Sequence, residues 1–272
     1  MDVVPDEHDA NLLWVYLVNH RPPLDPAVDA AKVGADSAIE IFKTQVGSST
    51  MEWVKTVEDP SIIVTPNDIL GGSNGQEFWF TNDNSVKVGL ARPLHLLFGV
   101  KSTWVGYCHV NTGCKVAADE LYSSNGIVRA TDGNVWVAST GGGHITVHEQ
   151  QPDKTLVPTE IIKIGRAIDN LSLAPDGSII AATIPNALHF ILQSAKDPSI
   201  PTSASAHRIS VNKGQSSYFG ENYKVEKIFE EDGTMLGSAA STAAEYEGKL
   251  YLHGVIAPRL LICNLPAQKL EQ

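Results

Sequence analysis

Three short polar segments of this 272-residue chain carry oxygen donors at regular intervals of about 45 to 58 residues. The segments are Asn67-Asp68-Ile69, Asn125-Gly126-Ile127 and Asp169-Asn170-Leu171. The side chains that could converge on a metal are Asn67, Asn125, Asp169 and Asn170. They offer one carboxylate and three amide oxygens, a set that disfavours zinc and copper and favours Ca²⁺, which accepts about 6–8 oxygen ligands. A single Asn is more often a turn or cap residue, so the recurrence is what indicates a site.

The elements that would position these side chains are turns, each followed by a short alternating strand. The turns are Asn74-Gly75, Asp132-Gly133, Asp176-Gly177 and Glu247-Gly248. Each glycine supplies the positive φ of a tight hairpin. At about 45 residues per blade, the chain holds five or six blades of an all-β propeller. In that fold, the innermost strand of each blade lines a central channel. The alternative fold is a β-sandwich with irregular loops.

The stretch from Gln193 to Tyr223 interrupts this rhythm, because it is rich in Ser, Lys, Asn and Gly and contains two prolines. It predicts a long surface connection with one strand around Arg208-Ile209-Ser210-Val211. Strand chemistry resumes at Lys224 to Phe229, so we expect no domain boundary. The sequence therefore predicts a single β-propeller domain over residues 1–272.

Composition excludes several classes of function. The formal net charge is −11 with no basic cluster, which disfavours nucleic-acid binding. The longest clean apolar run, Leu12 to Val18, is far shorter than the roughly 20 residues of a transmembrane helix. The first residues have neither the basic start nor the apolar core of a signal peptide. Oligomeric state is not determined by these features.

Three cysteines are present. Cys108 and Cys114 flank a short polar stretch with a turn-forming Asn and Gly, so they could form a disulfide if two strands pair across it. Two unpaired thiols in a reducing compartment are the alternative. Cys263, near the end of the chain, has no evident partner.

A series of motifs in order along the chain resembles the paraoxonase and arylesterase family, six-bladed β-propeller lactonases that use calcium, and in particular its fungal relatives. The similarity runs from about Leu13 to Leu265. The motifs are Leu17-Val18-Asn19-His20, Pro66-Asn67-Asp68-Ile69, Phe80-Thr81-Asn82-Asp83, Ser124-Asn125-Gly126-Ile127, Asp169-Asn170-Leu171-Ser172, Gly237-Ser238-Ala239, Tyr246-Glu247-Gly248-Lys249-Leu250 and Leu260-Leu261-Ile262-Cys263-Asn264-Leu265.

This resemblance implies calcium-dependent hydrolysis of small lactones or aryl esters. It implies one catalytic Ca²⁺ and a second, structural one, with Asp68 as a ligand of the structural ion. The ligands it implies for the catalytic ion are Asn67, Asn125, Asp169 and Asn170. His20 matches the histidine regarded as the base that activates water. The resemblance also suggests a secreted protein.

The chain departs from the family pattern in three places. The adjacent Glu-Asp pair of the family's first blade would precede this chain, so we expect a propeller that lacks roughly its first blade. No histidine lies near Glu58-Asp59-Pro60, where the family has its second catalytic one, and Cys263 lacks the family's bridging partner. Two alternatives to hydrolysis follow: a cyclase or pericyclic catalyst of secondary metabolism, and a catalytically inactive binding module.

Overall fold

The computed structural model describes residues 1–265, which form five β-sheets. In every sheet, strands that follow one another in sequence are neighbours. Four sheets have four strands and the last has three. The fold is an all-β propeller, as the sequence predicts. Within the described residues there are five blades, one fewer than the six of the predicted family fold.

The strands are numbered in chain order. The first sheet consists of β1 (Asp2–Pro5), β2 (Leu12–Arg21), β3 (Asp36–Gln45) and β4 (Glu52–Val57). The second consists of β5 (Pro66–Gly71), β6 (Glu77–Asn82), β7 (Thr103–His109) and β8 (Gly113–Leu121). The third consists of β9 (Ser124–Arg129), β10 (Val135–Ser139), β11 (His144–Gln150) and β12 (Leu156–Lys163). The fourth consists of β13 (Ala167–Leu173), β14 (Ile179–Ile184), β15 (Ala204–Val211) and β16 (Tyr223–Glu231). The fifth consists of β17 (Thr242–Tyr246), β18 (Lys249–His253) and β19 (Leu261–Asn264).

Helices are short and lie between strands. The α-helices are α1 (Ala30–Val33), α2 (Ala91–Leu97) and α3 (Ala187–His189). A π-helical turn, Phe190–Ser194, and a 3₁₀-helix, Gln215–Phe219, complete the set in the described residues. Within residues 1–265, no helix has the length and apolar character needed to cross a membrane.

The four predicted hairpin turns are confirmed. Each connects the first two strands of its sheet, and its glycine has a positive φ. The glycines are Gly75 (70°), Gly133 (87°), Gly177 (83°) and Gly248 (71°). A side chain at these positions would have to adopt the left-handed conformation that residues with a Cβ disfavour. The residues of each turn therefore determine where the first strand of these four sheets ends and the second begins.

The chain divides into two compact units. The first unit comprises Met1–Ile127 and His148–Thr159. Its core includes Tyr16, Phe78 and Phe80, all fully buried. Phe80 lies opposite Gly106 in the β6–β7 register, where a Cβ would fall 2.3 Å from the Phe80 ring. The missing side chain at Gly106 leaves the space that the ring occupies.

The β7–β8 hairpin of the first unit carries the disulfide Cys108–Cys114. The two cysteines lie directly opposite each other in the strand register, with Cα atoms 4.1 Å apart. Of the two alternatives that the sequence left open, the structure shows the bonded one. Cys263 is the free cysteine of the described chain and lies on β19.

The second unit comprises Val128–Val147 and the chain from Glu160 onward. One of its clusters is built from β-branched and aromatic residues such as Trp136 and Ile179. Another packs small side chains, including Ala182 and Ala206, against leucines of the last sheet such as Leu250. Small residues allow the fourth and fifth sheets to approach closely at full packing density.

The stretch from Gln193 to Tyr223 differs from its prediction. The expected strand exists, but it begins at Ala204 and the residues from Ala204 to Ile209 are buried. β15 is thus an interior strand of the fourth sheet, paired on both sides, and not part of a surface connection. The predicted strand is confirmed, but its placement in a surface connection was wrong, because small Ala and Ser side chains fit a closely packed interior as well as a polar loop.

An ion-pair cluster joins the fourth and fifth sheets within the second unit. Arg208 of β15 has a buried side chain that contacts Asp176 at 2.8 Å and also Glu245 of β17. Its Nη1 donates a hydrogen bond to Ser178 as well. A buried guanidinium is tolerated only with partners that replace its lost hydration.

We predict that Arg208→Ala lowers the free energy of unfolding by about 2–4 kcal/mol, since it leaves the largely buried Glu245 carboxylate without its counter-ion. Chemical denaturation monitored by circular dichroism measures the change. Arg259→Ala is the control, because Arg259 is exposed and carries no ion pair in the described structure. An equal, small loss for both variants would contradict a stabilising role for the cluster.

Candidate active site

The three polar segments lie on the first strands of three consecutive sheets. Asn67 and Asp68 lie on β5, Asn125 on β9, and Asp169 and Asn170 on β13. The predicted equivalence of the segments is therefore confirmed at the level of the strand. Metal binding at these side chains stays a prediction.

Two of the segments coincide with β-bulges. In the β5–β6 pair, Pro66 lies opposite Asn82 and Ile69 opposite Phe80, so Asn67 and Asp68 share one residue of the partner strand. The β13–β14 register shifts in the same way between Ile168 and Leu171. A bulge places two residues against one and redirects their side chains, and bulges are frequent next to active sites.

Asp68 is buried and held by the neighbouring β9. Its Oδ2 accepts a hydrogen bond from the Ile127 backbone at 3.0 Å. The Thr81 hydroxyl accepts from the Asp68 backbone N–H at 3.1 Å and donates to the Asn125 carbonyl at 2.6 Å. Asp68 Oδ1 lies 3.6 Å from the Met1 amino group. Burial raises the pKa of Asp68, since removal from water disfavours the carboxylate.

Asp169 and Asn170 belong to the second unit. The Asn170 backbone N–H and side-chain Nδ2 both donate to the Ser241 carbonyl, at 3.1 and 2.8 Å. Ser172 makes a similar contact to the Ala243 carbonyl at 2.7 Å. These bonds fasten β13 to β17 and use the amide nitrogen of Asn170, which leaves its Oδ1 as the remaining acceptor.

The first unit contains a cavity of about 210 Å³ that brings together His20 and Asn67. Ser37 and Thr65 supply hydroxyl groups to its wall. The wall is rigid at Thr65, because the buried Asn82 side chain accepts from the Thr65 backbone at 2.8 Å. The cavity therefore joins one predicted metal ligand and the predicted base, from different sheets, in one polar space.

His20 is the penultimate residue of β2 and lies directly opposite Ser37 of β3. Its Nδ1 lies 2.9 Å from Ser37 Oγ. Partial burial lowers the pKa of His20, Asp83 opposes this shift and Arg92 adds to it. The imidazole is consequently neutral at pH 7 and able to accept a proton.

Three charged residues of the cavity were not selected from the sequence: Asp83, Lys87 and Arg92. Asp83 Oδ2 and Arg92 Nη2 form an ion pair at 2.5 Å, and Asp83 Oδ1 is buried without a hydrogen-bond partner in the described residues. Asp83 ends the motif Phe80-Thr81-Asn82-Asp83, just after β6, and this motif was the sequence signal that could have identified it. Lys87 and Arg92 offered none, because they lie in a connection of no regular pattern.

The donor chemistry suits a hard cation. Asp68, Asn67 and Asn125 provide oxygen atoms on adjoining first strands of the first unit, and a cation beside Asp68 would offset the desolvation of its carboxylate. Among residues 1–265, no three His, Cys, Asp or Glu side chains cluster as a metal site. Any site here must therefore depend on amide or carbonyl oxygens as well as carboxylates.

Comparison with known proteins shows to which family the chain belongs. The model of the arylesterase family matches residues 25–265. The chain belongs to the arylesterase family. Human serum paraoxonase/lactonase 3 is 25% identical over 257 residues, which is 94% of this chain and 65% of that protein. Rat serum paraoxonase/arylesterase 1 is 27% identical over 233 residues, covering 85% of this chain and 62% of the relative. The chain thus spans less than two thirds of the length of these relatives.

Solved structures of low sequence identity share the fold of this arylesterase-family chain. The periplasmic gluconolactonase of Pseudomonas aeruginosa aligns with a TM-score of 0.51 and 9% identity, covering 96% of this chain and 64% of the other. A functionally unknown protein from Desulfotomaculum acetoxidans aligns with a TM-score of 0.52 and 11% identity, covering 97% and 68%. At these identities the likeness concerns the fold alone.

The Thr81 hydroxyl yields a direct prediction, because it joins two of the polar segments. Thr81→Val keeps the side-chain shape but removes the donor to Asn125 and the acceptor for Asp68. We expect a loss of about 1–3 kcal/mol in the free energy of unfolding, measured by denaturant titration. Thr81→Ser keeps the hydroxyl and should recover most of it. A Ser variant as unstable as Val would show that packing, not the bridge, matters here.

Proposed function

We propose that this chain hydrolyses small lactones or esters in the His20 cavity, with His20 as the general base. The observation that carries the proposal is the shared cavity of His20 and Asn67, two residues brought together from the first and second sheets. Membership of the arylesterase family supports the same class of reaction. The printed names of the relatives, lactonase and arylesterase, support a lactone or an ester as the substrate.

His20 would act through Nε2. When Nδ1 carries the proton and donates a hydrogen bond to Ser37 Oγ, Nε2 has the free lone pair. Nε2 takes a proton from a water molecule while the water oxygen attacks the carbonyl carbon. The ring C–O bond then breaks, and the alkoxide leaving group recovers the proton to give a hydroxy acid.

Asp83 and Arg92 tune this proton transfer. The Asp83 carboxylate favours the imidazolium that forms when His20 accepts its proton. Partial burial outweighs this effect and, with a smaller contribution from Arg92, keeps the pKa of His20 below its usual value; Arg92 also pairs with the Asp83 carboxylate at 2.5 Å. The base is therefore unprotonated over the neutral range, and yet its charged form has a stabilising partner nearby.

Calcium forms part of the proposal. Residues that would hold a catalytic ion are Asn67, Asn125, Asp169 and Asn170, and Asp68 would hold a structural one. Bound Ca²⁺ would polarise the substrate carbonyl and stabilise negative charge on its oxygen. The oxygen-only donor set and the bulges at two of the segments support this assignment. It stays a prediction that these side chains meet around one ion.

The six-bladed family fold and the likeness to fungal relatives also stay predictions. Five blades lie within residues 1–265, and the chain covers 65% of human serum paraoxonase/lactonase 3. Both facts agree with a further blade outside this chain. The coding sequence upstream of Met1 tests it, since a sixth blade requires an in-frame segment with strand pattern and a Glu-Asp pair.

We predict that His20→Gln lowers kcat/KM for a neutral γ-lactone by about 10²–10⁴-fold, because Gln cannot accept a proton from water. Lactone turnover followed by pH indicator measures the loss. His8→Gln is the matched control, as His8 is exposed and lies outside the cavity. Unaltered turnover in His20→Gln would remove this residue as the base.

The pH profile gives a second readout of the same substitution. Because the pKa of His20 is lowered, the acid limb of kcat/KM should have its midpoint below the ordinary value of about 6.5. Activity at pH 6.5 should thus exceed half of its plateau. The limb should vanish in His20→Gln; a limb that persists in the variant belongs to another group.

Calcium dependence is predicted separately. Saturating Ca²⁺ at about 100 times its Kd should stabilise the chain by about 2.7 kcal/mol relative to chelator. Asn170→Ala should lose this difference in melting temperature, whereas Asn111→Ala, in an exposed turn, should keep it. Equal melting of the wild type with calcium and with chelator would contradict the metal site but not, by itself, lactone hydrolysis.

A further inference from the structure

The charges of the ionisable side chains that line the His20 cavity do not sum to zero at pH 7. Asp83 and Arg92 neutralise each other at 2.5 Å, and His20 is neutral at pH 7. Lys87 is the remaining charge on the wall, and its ammonium group has no ion pair or hydrogen bond within residues 1–265. The cavity thus presents one uncompensated positive charge from the chain itself.

The stem of Lys87 is held against the backbone of Gly34. A Cβ on Gly34 would lie 2.6 Å from the Lys87 Cβ and 3.3 Å from Val88 Cγ1, and Gly34 has φ of 82°. Both features require glycine at this position. Ala35, the next residue, lines the same cavity, so the close packing fixes the base of the lysine side chain at the cavity wall.

This charge contrasts with the molecule as a whole, whose formal net charge is −11. The long-range field of such a protein repels anions, so a lone cation inside a cavity acts locally on what binds there. A neutral lactone would gain little from it. A half-buried lysine without a counter-ion within the described residues instead favours a ligand that brings the missing negative charge.

We propose that the cavity selects lactones that carry a carboxylate substituent, with Lys87 as the residue that recognises the carboxylate. This inference rests on the proposed function and names the substrate class of the same site. The ammonium of Lys87 is a compact point charge with three donors, which suits a single carboxylate. Charge-assisted hydrogen bonds of this kind are stronger than neutral ones.

The size of the cavity limits the substrate further. A cavity of roughly 150 Å³ is enough for benzene. The 210 Å³ here therefore accommodates a five- or six-membered lactone ring with one short acidic arm. His20 would face the ester carbon of the ring, while Lys87 would bind the arm.

The decisive experiment compares two substrates that differ only in charge: 5-oxotetrahydrofuran-2-carboxylate and its carboxamide. Lys87→Met should raise KM for the carboxylate by about 3- to 10-fold and leave KM for the amide within twofold. Lys87→Arg should retain the preference, and Lys87→Glu should reverse it. Lys213→Met is the matched control, since Lys213 is exposed, has no ion pair to residues 1–265 and lies outside the cavity.

An equal change in KM for both substrates would overturn the inference, because it would show a structural effect of the substitution. So would an equal effect of Lys213→Met, which would trace the preference to the charge of the whole protein. Raising the ionic strength to about 0.5 M should weaken the wild-type preference for the carboxylate. A preference that does not change with salt would also count against Lys87.

A binding experiment separates failure of this inference from failure of the proposed hydrolysis. Tetrahydrofuran-2-carboxylate and its carboxamide lack the lactone carbonyl, so calorimetry measures their binding without turnover. If the wild type hydrolyses no lactone but binds the carboxylate selectively, and Lys87→Met loses that selectivity, the anion site stands and hydrolysis fails. Carboxylate binding that chelator abolishes and Lys87→Met leaves intact would assign the anion to a metal and overturn the inference.

Discussion

The β-bulge at Asn67-Asp68 is the constraint on which the candidate site depends. In a regular strand, consecutive side chains point to opposite faces, so one of two neighbouring polar residues would be placed away from any common centre. At the bulge both residues oppose a single partner residue, and the alternation is suspended. A comparable register shift at Asp169 and Asn170 repeats this device on the first strand of the fourth sheet.

The neighbours of the bulge explain why it is stable. Thr81, the residue opposite, satisfies the Asp68 backbone N–H and at the same time donates to the Asn125 carbonyl of the next sheet. Ile127 donates from β9 to the Asp68 carboxylate. The Asp68 backbone N–H thus bonds to a side chain of its own sheet, while two bonds to β9 pair the Thr81 hydroxyl and the Asp68 carboxylate. The same bonds hold two of the polar segments at a fixed distance from each other.

The ionisable groups of the first unit differ in the charge state that their surroundings favour. Asp68 is buried in an environment that disfavours its charge, which suits a cation partner. His20 is kept neutral by partial burial, with Asp83 close enough to favour its protonated form. Among the residues that line the cavity, Lys87 remains the cation without an ion pair to residues 1–265, in a protein of strongly negative net charge. Three acid–base or recognition roles can coexist in a small space because a different neighbour sets the charge state of each group.

The sequence by itself determined the features that arise from local chemistry: the propeller class, the Gly turns of four hairpins, and the recurrence of polar segments that fall on first strands. The turns follow from residues a few positions apart, whose conformational preferences are independent of the rest of the fold. The propeller class and the recurrence follow from the repetition of these units along the chain. It also allowed the Cys108–Cys114 bond without choosing it. Only the tertiary structure decided the bulge register, the burial of β15, and the cavity that unites His20 with Asp83, Lys87 and Arg92. These depend on packing between segments far apart in the chain, and side chains such as Lys87 carry no local signal of the space that they face.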